Sequence, residues 1–151
     1  MKQYRELPYA DREEWLALRR RYIGGSDAAA AVGISPYKSP FTLYAEKIGA
    51  VEEFSGNLTT EVGAYLEEFV ARKWSEATGK QVRRKNRIIV NDLYPWACAD
   101  VDRMIVGENA ALEVKTTNSW PIMRAIRNGG DEFPDIYYAQ CLHYIKIVME
   151  I

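Results

Sequence analysis

The stretch WACADVDRMIVGENAALEVKTTNSW, residues 96–120, decides how this chain is read. It sets Asp100, Asp102, Glu113 and Lys115 into segments whose other residues look like strand interior. A charge buried without a partner is costly, so strand interiors normally exclude such groups. These four therefore lie on a solvated face or hold something charged. GEN at 107–109 is short enough to join two strands as a hairpin. Residues two apart in a strand share a face, which groups Glu113 with Lys115 and turns Val114 into the other layer. Asp102, on the preceding strand, then comes beside Glu113. Asp100 shares the face of Asp102, and spacing alone leaves open which of them is the partner.

Outward from this hairpin the chain alternates helix and strand signals. ADREEWLALRRRYI (10–23) reads as a helix capped by Asp11, with Trp15, Leu16 and Leu18 on its apolar side. Gly24 and Gly25 break it, and Ser26 or Asp27 caps a short Ala-rich helix that Gly33 ends. A third helix runs over 39–49, with Pro40 in its first turn. A long helix from Thr59 to Ala77 carries Val62, Leu66, Phe69, Val70 and Trp74 at helical spacing, and Gly79 stops it. The period then changes. VRRKNRIIV (82–90), WACADVDRMIV (96–106) and AALEVKT (110–116) read as three strands. WPIMRAIRNG (120–129) and DIYYAQCLHYIKIVM (135–149) read as helices, the last residues of the second also fitting a strand.

Composition bounds the function. With 151 residues, 48% of them hydrophobic, the chain suits one domain with a real core. A net charge of -1 points away from a generally basic nucleic-acid binder and leaves room for a local basic stripe. Cys98 and Cys141 read as core thiols, and His143 is the sole histidine, so a zinc site of Cys and His ligands is excluded. No apolar run has the length of a secretory core or a membrane span, and the expectation is a cytoplasmic protein without membrane contact.

Two carboxylates held close together repel, and a divalent cation relieves the repulsion. Hard oxygen ligands without histidine suit Mg²⁺ or Mn²⁺. A lysine beside them can orient or help deprotonate a water, or neutralise charge at phosphorus. The constellation suggests metal-assisted phosphodiester hydrolysis; the competing reading is a solvated hairpin with an ordinary ion pair. Glu67 could complete the site. Gly63, one turn earlier on the same helix face, offers a bare surface for the close approach of a strand or substrate.

Five segments, in order, resemble the YqaJ-like viral recombinase family, the lambda-type phage exonucleases of the PD-(D/E)XK nuclease superfamily. They are IGGSDAAAAVGISPYKSPFTLYAEKIG (23–49), GAYLEEFV (63–70), CADVDRMI (98–105), LEVKT (112–116) and YYAQCLHY (137–144). The resemblance implies an α/β (α+β) fold with a restriction-endonuclease-like core: a central mixed sheet flanked by helices, in one nuclease domain over residues 1–151. It implies catalytic residues Glu67, Asp102, Glu113, Lys115 and Gln140, and metal held by Glu67, Asp102, Glu113 and the carbonyl of Val114, with Glu67 serving a second ion. The family's aspartate is often followed by glycine; here Arg103 follows. Relatives continue beyond the last helix into further sheet, so the chain reads as short at its C-terminus.

The same resemblance implies a magnesium-dependent 5′-to-3′ exonuclease acting on linear double-stranded DNA ends and serving recombination. A single-strand annealing protein and a homo-oligomeric ring are the partners it suggests. Arg19, four residues after Trp15, and Ser26 match the family's 5′-phosphate contacts. Arg83, Lys85 and Arg87 alternate onto one strand face as a phosphate-tracking patch or an ordinary charged edge. The rival readings are a DNA-end binding or structural module with little turnover, and a structure-selective or single-strand nuclease.

Overall fold

The computed structural model describes residues 4–129 and 133–149; the chain end at Ile151 lies outside them. Six α-helices are found: α1 Arg12–Arg20, α2 Gly25–Ala31, α3 Pro40–Lys47, α4 Leu58–Thr78, α5 Trp120–Arg127 and α6 Asp135–Tyr144. The strands are β1 Tyr4–Pro8, β2 Val82–Arg83, β3 Arg87–Asn91, β4 Cys98–Ala99, β5 Arg103–Ile105 and β6 Ala111–Leu112. The expected α+β class holds.

Local chemistry sets the helix ends. Asp11, Ser39 and Asn57 each accept a hydrogen bond from a first-turn N–H of α1, α3 and α4. Gly79 closes α4 in the left-handed conformation, φ 72°. Helix α2 departs from expectation: Gly24 is its N-cap, and the buried carboxylate of Asp27 accepts from the Gly24 N–H at 3.0 Å. The ambiguous end of α6 is no strand; it widens into a π-helical turn, Ile145–Met149.

Each long expected strand divides in two, and the halves join different sheets. VRRKNRIIV supplies β2 and β3, and WACADVDRMIV supplies β4 and β5. The sheets have strand orders β1-β3-β4 and β2-β5-β6, every pair antiparallel. The mixed character expected of the sheet is limited to one parallel bridge, Ile23 to Ala97. Both joints are polar: Arg84-Lys85-Asn86 between β2 and β3, and the segment Asp100–Asp102 between β4 and β5. Strand β1 is an addition to the sequence reading. It pairs from Tyr4↔Asn91 to Pro8↔Arg87, and its Arg5, Glu6 and Pro8 suit a protected edge.

The core forms on both faces of β3, which reads as a continuous apolar run because neither face meets water. Ile88 and Val90 pack with Cys98 against Leu7, Tyr9, Trp15, Leu18 and Tyr22. Ile89 faces Ala97, Ala99, Val101, Tyr144, Ile147 and Val148. Gly25 allows the close approach of α2 to α6, since a Cβ there would lie 2.3 Å from the Tyr144 ring. Of the two expected core thiols, Cys98 is buried and its pKa is pushed up to about 12 by burial. Cys141 is exposed, because α6 turns that position outward. Among the described residues no helix is long and apolar enough to cross a membrane.

Candidate active site

The hairpin of β5 and β6 builds the site. Its register pairs Arg103 with Leu112 and Met104 with Ala111, so Asp102 and Glu113 sit just beyond the last pair, on opposing strands. There the regular ladder stops and a side chain takes over. The Val114 N–H donates to Asp102 Oδ2 at 2.7 Å. Glu113 Oε1 accepts from the Lys115 ammonium and from Gln140 Nε2, the latter at 2.6 Å. Gln140 also donates to the Tyr144 hydroxyl at 3.1 Å, and that hydroxyl donates to the Asp100 carbonyl at 2.9 Å. Tyr144 thus ties α6 to the acidic segment, a role that its place in an apolar-looking helix did not signal.

Glu113 Oε2 is buried and has no hydrogen-bond partner. Burial pushes the Glu113 carboxyl up to about 7; Lys115 opposes the rise and Asp102 adds to it. Burial also raises Asp102, against the Val114 hydrogen bond, with Glu67 adding repulsion. Two desolvated carboxylates with a vacant buried oxygen suit a hard divalent cation.

Glu67 reaches the same region from α4. That helix lies close over the strand end: a Cβ on Gly63 would stand 3.2 Å from Thr116 Oγ1. Glu67 Oε1 is taken by the guanidinium of Arg103, with Arg84 Nη2 a further 3.4 Å partner. Arg103 is 3% exposed, donates to Glu68 Oε2 at 2.8 Å and to the Asp102 carbonyl at 2.6 Å. Among the described residues, no three Asp, Glu, His or Cys side chains form a ready-made metal cage. The donors that fit a cation are Asp102 and Glu113, while Glu67 is committed to arginine.

The two aspartates separate by environment. Asp100 Oδ2 accepts from the Trp15 indole at 2.5 Å. Burial raises its pKa, which Trp15 and Arg19 oppose. The guanidinium of Arg19 lies 4.8 Å from the Trp15 ring centre and donates to Ser26 Oγ at 2.7 Å. Asp27 anchors this cluster, with Lys47 Nζ at 2.7 Å and Arg19 Nη2 at 3.9 Å. Sequence reasoning singled out Arg19 and Ser26 separately; the fold makes them neighbours, joined through Trp15 to Asp100. Asp100, Asp102, Glu67, Trp15, Arg84 and Lys85 line one cleft of ≈ 580 Å³.

The proposed basic stripe is less continuous than strand alternation suggests, because the chain turns at residues 84–86. Lys85 lines the cleft but pairs with Glu6 Oε1 at 2.7 Å. Arg87 lies 3.8 Å from Glu6 Oε2, and Arg83 is exposed on β2.

A family model described as a YqaJ-like viral recombinase domain matches residues 14–148. The uncharacterized protein YqaJ of Bacillus subtilis (strain 168) is 40% identical over 138 residues, which are 91% of this chain and 42% of that protein. The chain thus spans less than half the length of this relative. A protein of African swine fever virus (strain Badajoz 1971 Vero-adapted) is 41% identical over 44 residues, 29% of this chain and 13% of its own. Among solved structures, the alkaline exonuclease LHK-Exo of Laribacter hongkongensis superposes with TM-score 0.73 at 20% identity, covering 91% of this chain and 69% of that one. This chain has the same fold.

Proposed function

The chain belongs to the YqaJ-like viral recombinase family, and from that premise we propose that it is a phage-type deoxyribonuclease. It degrades linear double-stranded DNA from 5′ ends and leaves single strands for recombination. The observation that carries this reading is the meeting of Asp102, Glu113, Lys115 and Gln140 around the partnerless, buried Glu113 Oε2.

Asp102, Glu113 and the carbonyl of Val114 would hold Mg²⁺, or Mn²⁺ in its place. That ion supplies Lewis-acid activation of a water and charge neutralisation at the phosphoryl group. The chain's own residues do the rest. The Val114 N–H fixes the Asp102 carboxylate, and Gln140 fixes Glu113. Lys115 orients the attacking water and offsets negative charge developing on the phosphoryl oxygens. Hydrolysis leaves a 5′-phosphate and a 3′-hydroxyl. Arg19, held by Trp15 and Ser26, receives the 5′-phosphate of the DNA end, and Lys85 in the cleft meets the backbone. Arg83 and Arg87 extend that contact outside the cleft. A homo-oligomeric ring, a single-strand annealing partner and action in the bacterial cytoplasm complete the proposal.

The test compares linear duplex, single-stranded and covalently closed circular DNA as substrates of the purified chain in Mg²⁺, Mn²⁺ or chelator. Metal-dependent loss of the linear duplex alone is the expected outcome. Binding to duplex ends without nucleotide release in either metal would replace the enzyme with an end-binding module. Preference for single strands would place it among single-strand nucleases.

A further inference from the structure

We infer that Arg103 is a built-in counter-cation: it withdraws Glu67 from the ligand set and leaves the chain one divalent-ion position, on Asp102 and Glu113. The inference rests on the nuclease reading for its consequence, but its evidence is the geometry around Arg103 itself.

Arginine stays protonated in proteins, carries donors only and cannot ligate a metal. Arg103 is 3% exposed, and its donors are directed at Glu67 Oε1, Glu68 Oε2 and the Asp102 carbonyl. Arg84 lies outside the same two glutamates, 3.4 Å from Glu67 Oε1 and 3.9 Å from Glu68 Oε2. Two arginines therefore balance Glu67 and Glu68. On the hairpin the balance is different. Asp102 and Glu113 have only Lys115 close by, which leaves one negative charge uncompensated, and Glu113 Oε2 lacks a donor.

For Glu67 to ligate an ion it would have to leave a guanidinium that is buried and cannot lose its proton. Arg103 would keep only the half-exposed Glu68 and a backbone carbonyl as acceptors. A second divalent ion beside a fixed guanidinium would also meet its repulsion in a desolvated setting. The position after the metal-binding aspartate thus acquires a purpose. Its backbone belongs to β5, and its side chain points across to α4, where it supplies charge that a second ion would otherwise bring. Arg103 is a positioning residue: it fixes Glu67 and Glu68, and through the Asp102 carbonyl it steadies the strand that carries the ligand.

The experiment titrates Mn²⁺ into the full chain, read by calorimetry and by electron paramagnetic resonance. Parent, Glu67→Gln, Arg103→Lys and Arg103→Gln proteins are compared, with circular dichroism to confirm folding. The parent, Glu67→Gln and Arg103→Lys are each expected to take up one ion per chain. Arg103→Gln, which frees Glu67 and Glu68, is expected to take up two. A purely structural ion pair would move thermal stability and leave the metal count unchanged in all four. Two ions in the parent, loss of an ion in Glu67→Gln, or a single ion in folded Arg103→Gln would overturn the assignment. If Arg103→Gln does not fold, the parent and Glu67→Gln counts decide. DNA cleavage measured on the same parent sample separates the two claims. One bound ion with no cleavage keeps the Arg103 assignment and defeats the nuclease reading; two bound ions with cleavage does the opposite.

Discussion

The two sheets of this molecule are made from the same stretches of sequence and are opposites in character. In the β1-β3-β4 sheet, Ile88, Ile89, Val90, Cys98 and Ala99 are all fully buried. In the β2-β5-β6 sheet the strands are two or three residues long, and Arg103, Asp102 and Glu113 occupy positions at or beside them. The first sheet is closed on both faces by helices and holds its geometry through packing. The second gives up ladder hydrogen bonds, and side chains replace them: Asp102 takes the Val114 N–H, and Arg103 ties β5 to α4. Shape is set by one sheet and charge is presented by the other, with residues 84–86 and 100–102 as the joints between them.

Breaking each side should give different signatures. Glu113→Gln is expected to lower single-turnover DNA cleavage by about 10³-fold, and Lys115→Ala by about 10²-fold with Mn²⁺ affinity retained. Near-parental melting temperatures in both would keep these effects chemical. Ile88→Ala should do the reverse. It should cost about 2–5 kcal/mol of stability in chemical denaturation, because the site between β3 and α1 cannot collapse, while folded protein keeps its cleavage rate.

Arg19→Ala tests the link between the sheets. Its guanidinium sits between Trp15 and Ser26, and Trp15 hydrogen-bonds Asp100. Loss of a charge-assisted contact is worth about 1.5–3 kcal/mol, expected on 5′-phosphorylated ends and largely absent on 5′-hydroxyl ends. Equal weakening on both, measured by competition binding, would make Arg19 a general backbone contact.

The smallest effect is on stability against pH in chelator. The folded Glu113 carboxyl is raised to about 7, above its unfolded value, so the folded state binds this proton more tightly. Its contribution is then present at low pH and is lost as pH rises towards about 7. Glu113→Gln has no such loss. Its stability relative to the parent should therefore improve with rising pH, by on the order of 1 kcal/mol between about pH 5 and pH 8. A difference that does not change with pH would show that the carboxyl titrates normally.

How much of this was legible follows the range of the signals. Helix caps such as Asp11, Ser39 and Asn57 act within one turn, so the six helices could be read locally. The meeting of Asp102 with Glu113 and Lys115 follows from strand period and a short turn, both local. Strand β1 could not be read that way, because it pairs with β3 some eighty residues on and YRELP lacks apolar alternation. The breaks at 84–86 and 100–102 were also hidden, since alternation continues across them in sequence although the chain changes sheets. Arg103 stood out only as a departure from a family glycine. Its purpose needed the position of α4, which no spacing in the chain reveals.

Asp100 and Asp102 stand two residues apart, one at the end of the apolar sheet and tied to Trp15, the other at the start of the charged sheet and tied to Val114. Single-turnover cleavage of prebound, 5′-phosphorylated linear duplex in saturating Mg²⁺ by Asp102→Asn and Asp100→Asn compares them directly. The account predicts near-complete loss in Asp102→Asn and substantial cleavage in Asp100→Asn. An inactive Asp100→Asn beside a near-parental Asp102→Asn would contradict it and move the catalytic centre to the other sheet.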